Sequence, residues 1–472
     1  MQSEFGIIGL GVMGGNLALN LAARQTRVSV YNRHVTGVEE NIARNLVVSC
    51  SGRYQMLGFD DLEAFVNSLE KPRKIMLMIT AGPAVDEQIE RLALLLDEGD
   101  IVLDGGNSYY KDTSRRAIRL EASGIHYIGV GISGGEEGAL KGPAIMPGGT
   151  KEGYEKVAPY LRRIAAKDSH GDPCIAYIGP AGAGHFVKMV HNGIEYAEMQ
   201  LWAETYALLK NFLQVDNGEI RDILKSWQEG DSWSYLLGIT VDILNHKEGE
   251  GLLLDYILDQ AEQKGTGWLS AATALEYGVP YDTLSLAVMA RSLSVGKKER
   301  IAGAALYDHR PGKYKGDKSL FLDSLKKACQ TVRHINHAHG FDLIREVSGS
   351  LGWNINLSEL ARVWTNGCII RSALMEELAL LFQEGDNLLS LPDVADRLKR
   401  WRKDLAYIVS EGLEADIALP VYSGALNHLL GRITANSPAN LIQAQRDYFG
   451  AHTYRRVDQD PELRFHTNWS RY

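Results

Sequence analysis

Six residues near the start of the chain, Gly9-Leu10-Gly11-Val12-Met13-Gly14, constrain its fold more than any other feature. They follow Phe5-Gly6-Ile7-Ile8, which reads as a buried strand, and they open a helical stretch. A second strand is expected about 20 residues further on. Glycines at this spacing allow a tight strand-to-helix turn and let backbone N–H groups approach an anion at the helix N-terminus. A plain glycine-rich turn is the competing reading. The strand before and the helix after favour a site for a dinucleotide pyrophosphate.

Up to Gly179-Pro180 the chain alternates strand and helix patterns. Strands are predicted at Phe5–Ile8, Arg27–Tyr31, Ile75–Ile79, Ile101–Leu103, His126–Ile128 and Ile175–Ile178, with helices such as Ala84–Leu96 and Thr113–Ser123 between them. Such alternation predicts an α/β Rossmann domain over 1–180, a mostly parallel, doubly wound sheet. From 181 to 435 the apolar spacing is helical, as in Phe186, Met189, Val190, Ile194, Leu201 and Leu208, and predicts a large all-α domain. Asn436-Ser437-Pro438 then interrupts the helices. The remaining tail, 436–472, is polar and turn-rich but carries aromatics, which suit docking on a partner better than fraying.

The chain has 472 residues, enough for two or three domains, and its net charge of −9 argues against a nucleic-acid partner. An anionic substrate would need a local cluster of cations. The 4 cysteines are scattered without a C-x-x-C pair, so neither a disulfide framework nor a metal site is expected. With no signal-like opening and no apolar run of roughly 18 residues, a reduced, cytoplasmic setting is expected and no membrane partner.

The second predicted strand ends in Tyr31-Asn32-Arg33-His34. A site for NAD usually places a carboxylate there for the ribose 2′-hydroxyl, whereas Arg33 can pair with a 2′-phosphate, so NADP is favoured. Two further loops fall at predicted strand ends: Ile79-Thr80-Ala81-Gly82 and Asp104-Gly105-Gly106-Asn107-Ser108. Asp104 and Asn107 can each cap a turn. Asn107 also suits contact with the nicotinamide end.

Ser133-Gly134-Gly135 offers a hydroxyl and exposed backbone N–H groups to a small ligand. The helix that follows is strongly apolar, yet Lys188, His191, Asn192, Glu195 and Tyr196 share one of its faces. A salt-bridged surface stripe is the bland alternative; on an apolar helix a polar stripe more naturally lines a cavity. A lysine there can act as a base and a carboxyl as a separate acid. Lys264 and Thr266, in Lys264-Gly265-Thr266-Gly267, form a plausible phosphate cradle, and Arg291, Arg446 and His452 are further cationic candidates.

These motifs, together with Gly184-His-Phe-Val-Lys-Met-Val-His-Asn-Gly-Ile-Glu-Tyr196 and Leu441-Ile-Gln-Ala-Gln-Arg-Asp-Tyr-Phe-Gly-Ala-His-Thr-Tyr454, resemble the decarboxylating 6-phosphogluconate dehydrogenases in order and over essentially the whole chain. The resemblance implies an enzyme of the pentose phosphate pathway, also serving gluconate utilisation, that oxidises 6-phosphogluconate with NADP and releases CO2 and ribulose 5-phosphate without a metal. It implies Lys188 as base, Glu195 as acid, and substrate contacts at Ser133, Gly134, Gly135, His191, Asn192, Tyr196, Lys264, Thr266 and Arg291. It further implies a homodimer in which Arg446 and His452 reach the neighbouring subunit's site. The chain departs from the family pattern at Thr80, where a lysine is common, and at Gly267-Trp268-Leu269, where a second lysine before the tryptophan is missing. The alternatives are an NAD-preferring form, another β-hydroxyacid dehydrogenase and a catalytically weak NADP-binding scaffold. The phosphate cradle and tail arginine argue against the second, and Lys188 with Glu195 against the third.

Overall fold

The computed structural model describes residues 2–50, 52–263 and 265–469. Its main sheet contains β1 (Phe5–Ile8), β2 (Val28–Tyr31), β3 (Met56–Phe59), β4 (Lys74–Leu77), β5 (Ile101–Asp104), β6 (His126–Ser133) and β7 (Ala144–Gly149), in the order β3-β2-β1-β4-β5-β6-β7. Neighbours are parallel except β6 and β7. Strands β1, β2, β4 and β5 are buried at every position, as continuous apolar strands are when helices cover both faces. Successive residues of β1 feed opposite cores: Ile7 packs with Leu17, Leu21 and Val30, and Ile8 with Phe65, Ile75 and Val102. The strand order reverses at β1, so a crevice opens at the carboxyl ends of β1 and β4, the usual place for a ligand in such sheets.

Two strands were not expected. β3 contains Gly58 and exposes two of its four residues, as an edge strand does. β7 carries Pro147 opposite Val130, a residue that sheets tolerate at an edge. The predicted strand Ile175–Ile178 is instead an irregular segment, joined to β7 by the isolated bridges Ile145–Ile175 and Gly148–Gly179. Pro147 has no N–H to continue a regular ladder there.

Helix α1 (Val12–Ala23) follows β1, α2 (Pro83–Ala93) follows β4 and α3 (Tyr110–Glu121) follows β5. Beyond the sheet the described residues are mainly helical and include α4 (Ala183–Ala207), α5 (Thr266–Glu276) and α6 (Lys318–Leu351). Every residue of α4 from Ala183 to Ile194 is buried. A helix apolar on all sides is a core helix, and its few polar side chains must find partners or line a cavity.

The chain forms two compact units, Met1–Ala425 and Leu426–Tyr472. In the second, α7 (Ala439–Gly450) occupies the first part of the tail read as turn-rich. The chain then runs out and back, bridging Tyr454 to Phe465. Asp447 is fully buried and accepts hydrogen bonds from Thr453 N, Thr467 N, Trp469 Nε1 and His466 Nδ1. These donors hold its carboxyl far below the usual carboxylate range.

Candidate active site

The glycine loop is built as its spacing demands. Gly9 sits at φ +92°, and a Cβ there would lie 2.6 Å from the Met78 carbonyl oxygen. A Cβ on Gly14 would collide with the Gly9 carbonyl, whereas Gly11 caps α1 and faces open space. Val12 is exposed and Met13 packs on the core below. Leu10 N donates to Asn32 Oδ1 at 3.0 Å, tying the loop to the end of β2. Arg33 and His34 beyond it are exposed, and Arg33 pairs with Glu39 at 3.0 Å.

The other two loops share one anchor. Asp104, at the buried end of β5, accepts from Gly106 N at 3.1 Å, Ser108 Oγ at 2.6 Å and Tyr127 Oη at 2.9 Å. Its 3.6 Å neighbour is the Arg116 guanidinium, which also donates to the Gly82 carbonyl at 2.9 Å and pairs with Asp86 at 2.8 Å. Arg116 holds the Asp86 carboxyl down at about 2. The Ile79-Thr80-Ala81-Gly82 loop and the turn bearing the exposed Asn107 are therefore braced from beneath by one buried cation. Asp104 does cap its turn, as the sequence allowed.

On α4 the expected stripe converges. His191 is fully buried, with Nε2 3.1 Å from Ser133 Oγ and Nδ1 3.4 Å from Lys188 Nζ and 3.3 Å from Asn192 Oδ1. Glu195 Oε2 stands 3.8 Å from the same Nδ1. The His191 ring meets Trp364 edge-on at 5.5 Å. Burial lowers the Lys188 pKa, with Glu195 opposing, and raises that of Glu195, with Lys188 and Arg291 opposing. Burial and the neighbouring Lys188 keep His191 neutral. A buried lysine and a half-buried carboxyl are thus each shifted towards the neutral form, one able to accept a proton and the other to donate one.

A narrow cleft brings Asn107, from the loop after β5, together with Lys188, Asn192 and Thr266. Gly134 (φ +122°) and Gly135 (φ +63°) turn the end of β6 into a short helix beside Ser133. The Arg291 guanidinium stacks on the Tyr196 ring at 3.5 Å. Lys264 lies outside the described residues. Arg446 and His452 belong to the second unit, where both are exposed and Arg446 is hydrogen-bonded to Gln443. Sequence reasoning missed Tyr109, His185, Met189 and Leu269, which complete the cleft, and Glu39 beside Arg33. His185 follows Gly184 on the stripe-bearing helix and was visible as a polar residue there; the others gave no chemical signal.

Two family models match the chain: the NAD binding domain of 6-phosphogluconate dehydrogenase over residues 4–179, and the 6-phosphogluconate dehydrogenase C-terminal domain over 184–469. The decarboxylating 6-phosphogluconate dehydrogenase of Lactococcus lactis is 44% identical, over 99% of this chain and 99% of its own. The NAD(+)-dependent decarboxylating enzyme of Bacillus subtilis is also 44% identical, over 100% of both chains. The solved Plasmodium falciparum 6-phosphogluconate dehydrogenase, studied without ligands, with NADP+ and with 6-phosphogluconate, superposes with a TM-score of 0.94 at 36% identity, over 99% of this chain and 100% of its own.

Proposed function

The chain belongs to the 6-phosphogluconate dehydrogenase family, and from that membership we propose that it oxidises 6-phosphogluconate and decarboxylates the product to ribulose 5-phosphate, using NADP. The observation that carries this reading is the Lys188–His191–Glu195 group, its lysine and histidine buried, at one face of α4. The residues fit the cofactor: the glycine loop presents backbone N–H groups at the start of α1, and Arg33, exposed just beyond β2, would pair with a 2′-phosphate. When bound, NADP would supply the hydride acceptor for oxidation at C3 of the substrate.

Lys188, deprotonated with the help of burial, takes the C3 hydroxyl proton. As an ammonium it then polarises the new C3 carbonyl while the C1 carboxylate leaves as CO2. Glu195, protonated with the help of burial, delivers a proton to the substrate's C2, the carbon that becomes C1 of ribulose 5-phosphate. His191 positions Lys188, and Asn192 and Ser133 orient the substrate with the Gly134 and Gly135 backbone. Lys264, Thr266, Tyr196 and Arg291 serve its phosphate end.

The same reading divides the chain into a cofactor domain (1–180), a helical substrate domain (181–435) and a tail (436–472). It also makes the protein a cytoplasmic homodimer, with Arg446 and His452 completing the partner's site. Supporting this, Leu275, Leu293, Leu306 and Tyr307 are each more than two-thirds exposed, and α7 exposes Leu441, Ile442, Tyr448 and Phe449 on one face. The test is to follow nicotinamide reduction with 6-phosphogluconate, with NADP and NAD in parallel, while trapping CO2. Reduction of NADP matched by CO2 supports the proposal; reduction without CO2 removes the decarboxylating role.

A further inference from the structure

Arg33 does not stand free at the end of β2. Its Nη2 donates to Glu39 Oε1 at 3.0 Å, and its Nε lies 3.4 Å from both oxygens of the same carboxylate. Glu39 Oε2 also accepts from Asn32 Nδ2 at 2.9 Å, and Asn32 Oδ1 accepts from Leu10 N at 3.0 Å. A line of hydrogen bonds thus runs from the glycine loop to the Glu39 carboxylate. A tight turn fixes that residue: Val35 and Glu39 exchange backbone hydrogen bonds of 3.0 and 2.8 Å, with Gly37 between them at φ +77°. Its partners hold Glu39 below the usual carboxylate range, so it is ionised at neutral pH. The carboxylate lines a cavity of about 290 Å³ together with Arg33, His34, Ile42 and Arg44.

In a sheet of this order, the end of the second strand is where the adenosine ribose of a dinucleotide lies. A carboxylate there accepts hydrogen bonds from a 2′-hydroxyl; an arginine there pairs with a 2′-phosphate. This chain supplies both as one ion pair. The sequence places no acid at the strand end itself, but the Val35–Glu39 turn brings one back to it. A 2′-phosphate must draw Arg33 away from Glu39 and meets the carboxylate as a like charge. A ribose diol meets an acceptor already in place.

We propose that Glu39 is a specificity-determining residue, a carboxylate that weakens the preference of Arg33 for a 2′-phosphate so that the site binds NAD as well as NADP. The inference rests on the reading that the cofactor's ribose lies at the end of β2.

The test is titration calorimetry of the full-length protein with NADP+ and NAD+ separately, at low and high salt, for wild type, Glu39→Gln and Arg33→Ala. Wild type is expected to bind both cofactors. Glu39→Gln is expected to bind NADP+ about fivefold to tenfold tighter and NAD+ severalfold weaker, with the NADP+ gain shrinking as salt rises. Equal changes for both cofactors would mark a merely structural residue and overturn the proposal, as would no change. Arg33→Ala distinguishes the two readings. If it weakens NADP+ alone while Glu39→Gln changes nothing, the ribose placement stands and the role of Glu39 fails. If Arg33→Ala leaves NADP+ binding intact, the ribose placement fails and the role of Glu39 with it.

Discussion

Ser133 Oγ lies 3.1 Å from His191 Nε2, joining the last parallel strand of the sheet to the helix that carries Lys188. With the proton on Nε2, His191 donates to Ser133 and leaves Nδ1 to face Lys188 Nζ. The imidazole then fixes the lysine relative to the cofactor sheet. His191→Ala is expected to lower kcat by about a hundredfold, the scale of a small misplacement of a reacting group, with a smaller change in KM. Steady-state kinetics in 6-phosphogluconate check it. An unchanged kcat would mean that His191 only fills space.

Lys188 is buried at a cost to the fold. Its folded-state pKa is depressed, while in the unfolded chain it titrates near its ordinary value of about 10.4. Between those two values the unfolded chain holds more protons, so this residue makes stability rise with pH across that window. Lys188→Met is expected to abolish turnover, to stabilise the fold by about 1 kcal/mol near neutrality and to flatten that part of the stability–pH curve. Denaturant melts from pH 6 to pH 10 would show it.

The proton-transfer pair sets the pH profile of turnover. Rate is expected to pass through a maximum with pH, because the working form pairs a deprotonated Lys188 with a protonated Glu195, and its two apparent values belong to the coupled pair. Glu195→Gln is expected to remove the alkaline fall and to cut kcat by about 10² to 10⁴. Persistence of the alkaline limb in that variant would assign it to another group.

Asp447 is the hub of the second unit, accepting from three backbone or ring N–H donors and pairing with His466. Asp447→Ala leaves buried donors unsatisfied and is expected to disorder the tail. If Arg446 and His452 complete the partner's site, this variant loses 6-phosphogluconate turnover and keeps its NADP+ affinity. Light scattering of the wild type should give twice the chain mass, and Leu306→Asp, on an exposed apolar surface, should favour the monomer.

What was legible followed from patterns that repeat. The glycine loop, the parallel strands β1, β2, β4 and β5 and the stripe on α4 all carry strong periodic or motif signals. β3 and β7 escaped notice because edge strands can carry glycine, proline and polar residues, which mask the apolar pattern. The helix over Ala439–Gly450 was read as turn-rich because its large apolar residues face outwards and not into a core, while its one buried group is a carboxylate. Glu39 was invisible for another reason. A turn folds it back onto Arg33, and sequence distance does not reveal such a contact.

The assignment of two proton-transfer groups to two different carbons is tested most directly by running the reaction in D2O and reading the deuterium at C1 of ribulose 5-phosphate. The wild type is expected to place one deuterium at C1 with a single handedness, since Glu195 protonates one face of the enediol. Glu195→Gln should release CO2 and yield C1 deuterium of mixed handedness, because solvent then protonates either face. Stereospecific labelling by Glu195→Gln at the wild-type rate would contradict the account.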